Sequence, residues 1–402
     1  MTNYRKFNTI KQFILSFRRS KGEFTGKYKR FVNETWEKEI RDIYRDKIAA
    51  GRTKTRETND ASLKKFIRTK KSNMRDYADA CFRYLRYTGL ISISHGSRSI
   101  SLFPDKIVEV DFILSKVSRK PVFINDLDSY KKYLFSANSP VLYVDNMDYI
   151  VDVLMRIGSF TKRELSDKNL DELKDLREKI AQQHKDSAIN KQVDEIKSYA
   201  LYSEIIDTFN EIISDGYYDA PLMFEYNTWR AMTMLDGGNI KGNFIFDDAG
   251  KPLSTATGNM PDIECDYNDF SLSVEVTLQS GQRQYESEGE SVARHYGQLK
   301  KRIGKDTYCL FIAKSINPAT LAHFYGLNHL PINLYGGKSK IIPLELDQFM
   351  RLIENSYNHK TQPTPKDIRC FLDEVIKLCD TAKDENHWQS DIQACVDKWL
   401  AS

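Results

Sequence analysis

The chain has 402 residues, of which 41% are hydrophobic and 29% charged, with a net charge of +4. That length allows two or three domains with sizeable cores, and no stretch approaches the roughly 18 consecutive apolar residues of a membrane span. The opening MTNYRKFNTI is polar and basic without the apolar centre of a signal peptide, so export is not expected and a cytoplasmic protein is.

The small net charge hides a strong asymmetry. Residues 1–75 hold 22 Lys or Arg against 8 Asp or Glu, a local charge of +14, which leaves about −10 for the rest. Aromatic residues such as Tyr4, Phe13, Phe24, Tyr28 and Trp36 interleave these charges. A folded basic surface that attracts a polyanion is therefore expected, rather than a loose tail.

Residues 3–50 read as helical segments with basic faces, among them the run from Glu34 to Tyr44. Gly51 to Asp60 has no apolar period and reads as a loop; its Arg52, Lys54 and Arg56 are candidate phosphate contacts. From Asn73, apolar residues fall at Met74, Tyr77, Ala78, Cys81, Phe82 and Leu85, the spacing of an amphipathic helix. Asn73 can cap its start, and Gly89 stands where it would end. Two alternating runs, Leu90–Ser94 and Ser99–Phe103, flank His95-Gly96-Ser97-Arg98 and read as a hairpin. A helix followed by a hairpin resembles a winged helix over about residues 26–110, with Arg75, Arg83, Arg86, His95 and Arg98 as its candidate DNA-facing side chains.

A second helical unit is expected over about 111–170, with a strand at Pro140–Val144 and an apolar helix at Tyr149–Ile157. Asn169-Leu-Asp-Glu172 has the form of a capping box, and the charged run Asp171–Lys197 after it reads as a solvent-exposed linking helix. The expected organisation is a recognition region over 1–190, with its linker running to 196, and a second domain over 197–402. No repeat or low-complexity segment interrupts it. The six cysteines form no CxxC pair and fit no zinc module, so reduced core cysteines are expected.

The second half alternates helix and strand. Helices are predicted near 198–214, 222–235, 287–302 and 317–325, and strands near 242–246, 271–279, 307–313 and 341–346. In residues 271–279, Leu272, Val274, Val276 and Leu278 alternate with Ser271, Ser273, Glu275, Thr277 and Gln279. Since strand side chains alternate between faces, one face is apolar and the other carries Glu275 between Ser273 and Thr277. Pro261-Asp262 precedes this strand. Two carboxylates delivered in this way are hard oxygen donors, suited to holding a divalent cation beside a phosphodiester. On the following helix, Glu288 and His295 lie two turns apart on nearly one side, extended by Gln298 and Arg302, with Glu286 and Glu290 as rivals of Glu288.

An acid-bearing helix, Pro-Asp, Glu on the next strand and then a helix resembles the PD-(D/E)xK nuclease pattern. The spelling is similar to the AlwI family of type IIS restriction endonucleases, in Phe-Glu-Tyr-Asn-Thr-Trp-Arg (224–230), Pro-Asp-Ile (261–263), Val-Glu-Val-Thr (274–277) and Arg-His-Tyr (294–296). The resemblance implies an α/β catalytic domain with a central mixed sheet flanked by helices, joined to an α+β DNA-recognition region. It puts Glu225, Asp262, Glu275, Glu288 and His295 at catalytic positions, with Asp262, Glu275 and Glu225 as ligands of Mg²⁺. One departure stands out: the general pattern wants Lys two residues after Glu275, and Thr277 is there. That role must pass to His295, Arg294, Lys300 or a second metal ion.

The resemblance further implies Mg-dependent cleavage of double-stranded DNA at a short fixed distance from an asymmetric sequence, leaving a 5′-phosphate. It implies a monomer whose catalytic domains pair transiently on DNA, and a cognate DNA methyltransferase in the same system. The alternatives are a strand-nicking enzyme of the same family, a structure-specific nuclease, or a non-catalytic winged-helix DNA-binding protein. A methyltransferase is disfavoured because no glycine-rich cofactor loop follows a strand.

Overall fold

The structure is a computed structural model of the chain. It describes residues 34, 37–93, 100–116, 125–136, 142–214, 219–235, 238–247, 250–256, 258–359 and 362–400. The chain divides into two compact units, Met1–Asp186 and Ser187–Ser402.

In the first unit, residues 37–43 are helical and lead into α1 (Arg45–Ala49). Helix α2 spans Leu63–Tyr87, with the Ser62 side chain accepting the Lys65 amide at its start. The helix expected to begin at Asn73 therefore begins earlier. Its apolar stripe already includes Phe66 and Ile67, which pack with Ile40 and Met74, and Ser62 is the residue placed to satisfy the orphan amides. Asn73 sits inside the helix and donates its side-chain amide to Glu57 at 2.8 Å. Tyr77 and Leu85, read as part of the buried stripe, are exposed.

Strands β1 (Ile91–Ile93) and β2 (Ile100–Leu102) pair antiparallel with Ile91 opposite Leu102, so the expected hairpin follows the helix. Helices α3 (Ile107–Lys116) and α4 (Leu127–Leu134) come next. The strand expected at Pro140–Val144 is not formed in its described part: Tyr143–Asp145 make a 3-10 turn, closed by the Leu142 amide donating to Asp145 at 2.9 Å. Pro140 and Val141 lie outside the described residues. Helix α5 (Met147–Ile157) is capped by Asn146 and followed by the short α6 (Lys162–Leu165).

Helix α7 (Leu170–Lys197) opens with the expected reciprocal box: Asn169 accepts the Glu172 amide at 3.0 Å and Glu172 accepts the Asn169 amide at 2.8 Å. It is not wholly solvated. Leu173 and Ile180 join Ile150, Leu154 and Leu165 in a core of the first unit, and Ile196 joins the core of the second.

The second unit begins with α8 (Tyr202–Ile213) and α9 (Ala220–Leu235). Then come β3 (Asn239–Gly242), β4 (Ile245–Phe246), β5 (Pro252–Ser254), β6 (Ile263–Asp266) and β7 (Phe270–Thr277). Helix α10 (Gln282–Ile303), β8 (Asp306–Ala313), α11 (Pro318–His329) and β9 (Ile341–Glu345) follow, and α12 (Leu346–Asn358), α13 (Pro365–Thr381) and α14 (Glu385–Lys398) complete the unit. The main sheet has the order β3-β6-β7-β8-β9, antiparallel on its first two pairings and parallel on its last two. The single strand expected at 242–246 is split, because β3 pairs with β6 while β4 pairs with β5 in a separate ribbon.

Strand β7 lies in the middle and is covered on both faces. Leu272 and Val274 enter a core with Phe209, Met232, Leu310 and Phe349. The opposite face of the sheet, carrying Cys309 and Phe311, packs under Val292, Ala293 and Tyr296 of α10 and Phe324 of α11. The polar face of β7 read from the sequence is thus buried rather than solvated: Ser271, Ser273, Glu275 and Thr277 are all buried. Helix α10 also closely approaches the turn at Asn333–Tyr335: at Gly297 an added Cβ would stand 2.7 Å from the Tyr335 Cα. All six cysteines are free thiols, four of them buried. Among the described residues no helix is long and apolar enough to cross a membrane.

Candidate active site

Each acid singled out in the sequence is delivered by a different element. Glu225 comes from α9, which is pinned in place by its own motif. Asn227 donates to the Ile205 carbonyl at 2.9 Å, Trp229 donates to the Ile240 carbonyl at 3.2 Å, and the buried Arg230 pairs with Glu204 at 2.9 Å. Asp262 sits on the turn into β6. Asn243 fixes that turn by donating its side-chain amide to the Pro261 carbonyl at 2.8 Å and to Glu264 at 3.1 Å, while its backbone amide donates to the Asp262 carbonyl at 2.9 Å. Glu275 lies near the C-terminal end of β7, and Glu288 and His295 come from α10.

One oxygen of each carboxylate is held by a protein donor. The Ala256 amide donates to Glu225 at 3.0 Å and the Val276 amide to Asp262 at 2.8 Å. Thr277 donates its hydroxyl to Glu288 at 2.9 Å. His295 Nδ1 lies 3.0 Å from Glu275 Oε1 and donates to it in the tautomer that carries its proton there. Fixing one oxygen sets the direction of the other.

The electrostatics tie these groups together. Burial, then the neighbouring Asp262, raise the Glu225 carboxyl to about 8, against the opposing hydrogen bond from Ala256. Burial and the charge of Glu275 hold Asp262 well above the usual carboxylate range. Burial, then Glu288 and Glu225, do the same to Glu275, with Arg294 acting in the other direction. Glu225, Asp262 and Glu275 therefore share one region with Glu288, and the ionisation of these three is opposed by burial and by their acidic neighbours. Burial and the adjacent Arg294 lower the proton affinity of His295, so its imidazole is neutral near pH 7.

The donor chemistry, hard oxygens that repel one another when ionised, fits a hard divalent cation. Among the described residues, however, no three His, Cys, Asp or Glu side chains are gathered closely enough to hold a metal ion as they stand.

The structure also separates neighbours that the sequence left equivalent. Of Glu286, Glu288 and Glu290, Glu288 is the one bonded to β7, through Thr277, while Glu290 pairs outward with Arg294 at 3.2 Å. Gln298 and Arg302 leave the stripe: Gln298 is exposed and Arg302 pairs with Glu264 at 2.6 Å. Sequence reasoning missed Asn243 and Gln284. Gln284 is fully buried and donates to the carbonyls of Gln279 and Ser315 at 3.0 and 2.9 Å, while accepting the Asn317 amide at 2.8 Å. It clamps the start of α10 to the ends of β7 and β8. A lone amide in a polar stretch gives no periodic signal that could have found it.

Of the candidate DNA-binding residues, Arg52, Lys54 and Arg56 are exposed. Their loop is closed by the Thr53 hydroxyl donating to the Ala61 carbonyl at 2.5 Å and by the bridge between Thr55 and Thr58. Arg83 is exposed, but Arg86 is buried at the last turn of α2 and does not stand outward as expected. The side chain of Arg75, and His95 and Arg98 altogether, lie outside the described residues.

A central mixed sheet flanked by helices, with acids converging near the end of its middle strand, is consistent with the restriction-endonuclease fold. The family model for AlwI restriction endonuclease matches residues 1–352, and the chain belongs to that family. It is accordingly a DNA-binding nuclease of the type II restriction class, a class that usually needs a divalent metal. No curated protein matches the chain. Among solved structures it is similar to the small subunit, R.BspD6I2, of the heterodimeric restriction endonuclease R.BspD6I. The identity is 29%, covering 48% of this chain and 98% of that one, with a TM-score of 0.42.

Proposed function

We propose that the protein is a type IIS restriction endonuclease that hydrolyses duplex DNA, with Mg²⁺, a short fixed distance from an asymmetric sequence. The observation that carries the reading is the coupling of Glu225, Asp262, Glu275 and Glu288, four acids from separate elements whose burial and proximity raise three of their proton affinities. A purely DNA-reading protein has no use for such a costly arrangement.

Asp262 and Glu275, with Glu225, would hold the ion in a PD-(D/E)xK-type site. Bound magnesium would supply positive charge to offset the charge that develops on the phosphate. Asp262 is aimed by the Val276 amide and Glu275 by His295. With Nδ1–H turned to Glu275, Nε2 of the neutral His295 ring can take a proton from the attacking water. Glu288, oriented by Thr277, is the second group that can position that water.

The basic first unit would read the DNA, with its helix and hairpin acting as a winged helix and the 52–56 loop holding phosphates. One catalytic unit cuts one strand, so double-strand cleavage calls for transient pairing of two catalytic units on DNA. A cognate methyltransferase would protect the host sequence in the cytoplasm.

The test is incubation of plasmid and phage-length duplex DNA with protein and Mg²⁺, and with EDTA, followed by sequencing of the ends. Ends at one fixed offset from a common asymmetric sequence are expected, and Asp262→Ala and Glu275→Ala should stop cleavage while retaining DNA binding. Cleavage by either variant at the wild-type rate would refute the assignment, and scattered ends would refute the type IIS reading.

A further inference from the structure

The position two residues after Glu275 is where a cationic side chain would complete this kind of site, and Thr277 cannot fill it. Its hydroxyl is neutral, buried and committed to Glu288 at 2.9 Å. A dianion-like phosphate in the transition state still needs positive charge aimed at it.

Helix α10 carries five cations, of which Arg283 is exposed in its first turn and Lys301 donates to the Leu334 carbonyl at 2.9 Å. Arg302 pairs with Glu264 at 2.6 Å. Lys300 donates to the Lys338 carbonyl at 3.2 Å and lies over the Tyr296 ring at 5.6 Å. Its charge acts on Lys340 and Asp306, so it serves the start of β8, at the opposite end from Thr277, which pairs with Ala313. Arg294 is different. It precedes His295, the residue in contact with Glu275. Its Nη1 donates to Asn259 Oδ1 at 2.5 Å, on the segment three residues before Asp262. Its guanidinium thus spans from the helix that carries His295 to the turn that carries Asp262.

The remaining contact is weak. Arg294 Nε lies 3.2 Å from both oxygens of Glu290, whose side chain is 61% exposed, and Arg294 itself is 31% exposed. Such a surface pair is worth little and yields readily to a better anion. The planar guanidinium fork matches two phosphate oxygens at once. The charge of Arg294 is also felt at both Glu275 and His295.

We propose that Arg294 is a catalytic residue that leaves Glu290 to contact the scissile phosphate, supplying the positive charge for which Thr277 has no substitute. This rests on the nuclease reading of the same site. The variants are Arg294→Gln, Arg294→Lys and Asn259→Ala, each checked for thermal unfolding. Single-turnover cleavage of a supercoiled plasmid is measured with protein in excess, and plasmid affinity is measured in EDTA. Arg294→Gln is expected to slow cleavage by about 10²–10³ while affinity in EDTA changes by less than about threefold. Arg294→Lys, which keeps the charge but loses the fork, should fall between Arg294→Gln and wild type, and Asn259→Ala, which removes only the tether, should stay within about tenfold of wild type.

Cleavage by Arg294→Gln within about threefold of wild type would overturn the proposal. So would an Asn259→Ala variant that loses as much as Arg294→Gln, because Arg294 would then act only by holding the Asp262 turn. If the wild type itself binds but does not cut duplex DNA with Mg²⁺, the nuclease reading and this inference fall together. If the wild type cuts and Glu275→Ala does not, a failure at Arg294 concerns Arg294 alone.

Discussion

Burial beside Asp262 lifts the Glu225 carboxyl from an ordinary value of 4.5 to about 8, so the metal-free folded protein takes up a proton there that the unfolded chain does not. Between pH 4.5 and about 8 the folded state binds more protons at this site than the unfolded state, and its stability falls as pH rises through that window. In EDTA, the melting temperature of the wild type should decline from pH 5 to pH 8, and Glu225→Gln, neutral throughout, should make the decline shallower, leaving the part that Asp262 and Glu275 contribute, and melt several degrees higher at pH 8. An unchanged slope in that variant would show that Glu225 is not the group responsible. Added Mg²⁺ should raise the wild-type melting temperature more at pH 8 than at pH 5.5, since a cation competes with the proton for the ionised acids. Asp262, Glu275 and Glu288 were singled out from residue type and period, as Pro-Asp before a strand, Glu on its polar alternation and an acid two helical turns before His295, whereas Glu225 came only with the family resemblance. Their coupling was not legible. Whether Glu286, Glu288 or Glu290 meets β7 depends on the rotation of α10 about its axis, which no spacing within α10 reveals.

Helix α10 acquires that rotation from contacts at its two ends. At the start, Gln284 satisfies three backbone groups contributed by the ends of β7 and β8. Gln284→Ala strands these groups, and a loss of about 2–4 kcal/mol is expected, read by urea unfolding with unchanged m. A loss below about 0.5 kcal/mol would mean that water replaces the amide without penalty. Further along, the backbone of α10 approaches the Asn333–Tyr335 turn so closely that a methyl at Gly297 would stand 2.7 Å from one backbone atom of Tyr335 and 3.1 Å from another. Gly297→Ala should therefore cost about 1–3 kcal/mol, and where the helix rather than the turn gives way, the shift carries His295 and Glu288 with it and reduces cleavage. Normal cleavage together with normal stability in this variant would show that α10 does not depend on the close approach. The elements that sequence reasoning located best were those with a continuous or capped pattern, β8 and α7 among them. It misplaced the start of α2, where a loop ending in Ser62 looked as polar as the helix that follows, and it joined β3 to β4, where a turn at Asn243 redirects the chain to a different partner strand. Pairing of that kind is decided by distant residues, here β6 and β5.

For the whole molecule, charge sets the terms of binding. The first 75 residues carry +14 and the rest about −10, and the carboxylates of the site lie in that negative remainder, so attraction to DNA must come mainly from the basic beginning of the chain. Exchanging Arg52, Lys54 and Arg56 together for Ala should weaken DNA binding at every sequence tested and reduce the slope of log affinity against log salt by about 0.9 for each phosphate that is no longer neutralised. The single-turnover rate at saturating protein should change little, since these side chains act on bound and reacting DNA alike. A changed cut offset with unchanged salt slope would place the loop in base reading rather than phosphate holding. The order of the two strand cuts then tests how many molecules act together. If, as proposed, double-strand cleavage calls for two catalytic units, the nicked plasmid should appear first, and its conversion to linear DNA should quicken with protein concentration even after every site is bound. Linear product formed at a rate independent of that excess would mean that one molecule turns to the second strand by itself. Nicked product that never converts would make the protein a nicking enzyme.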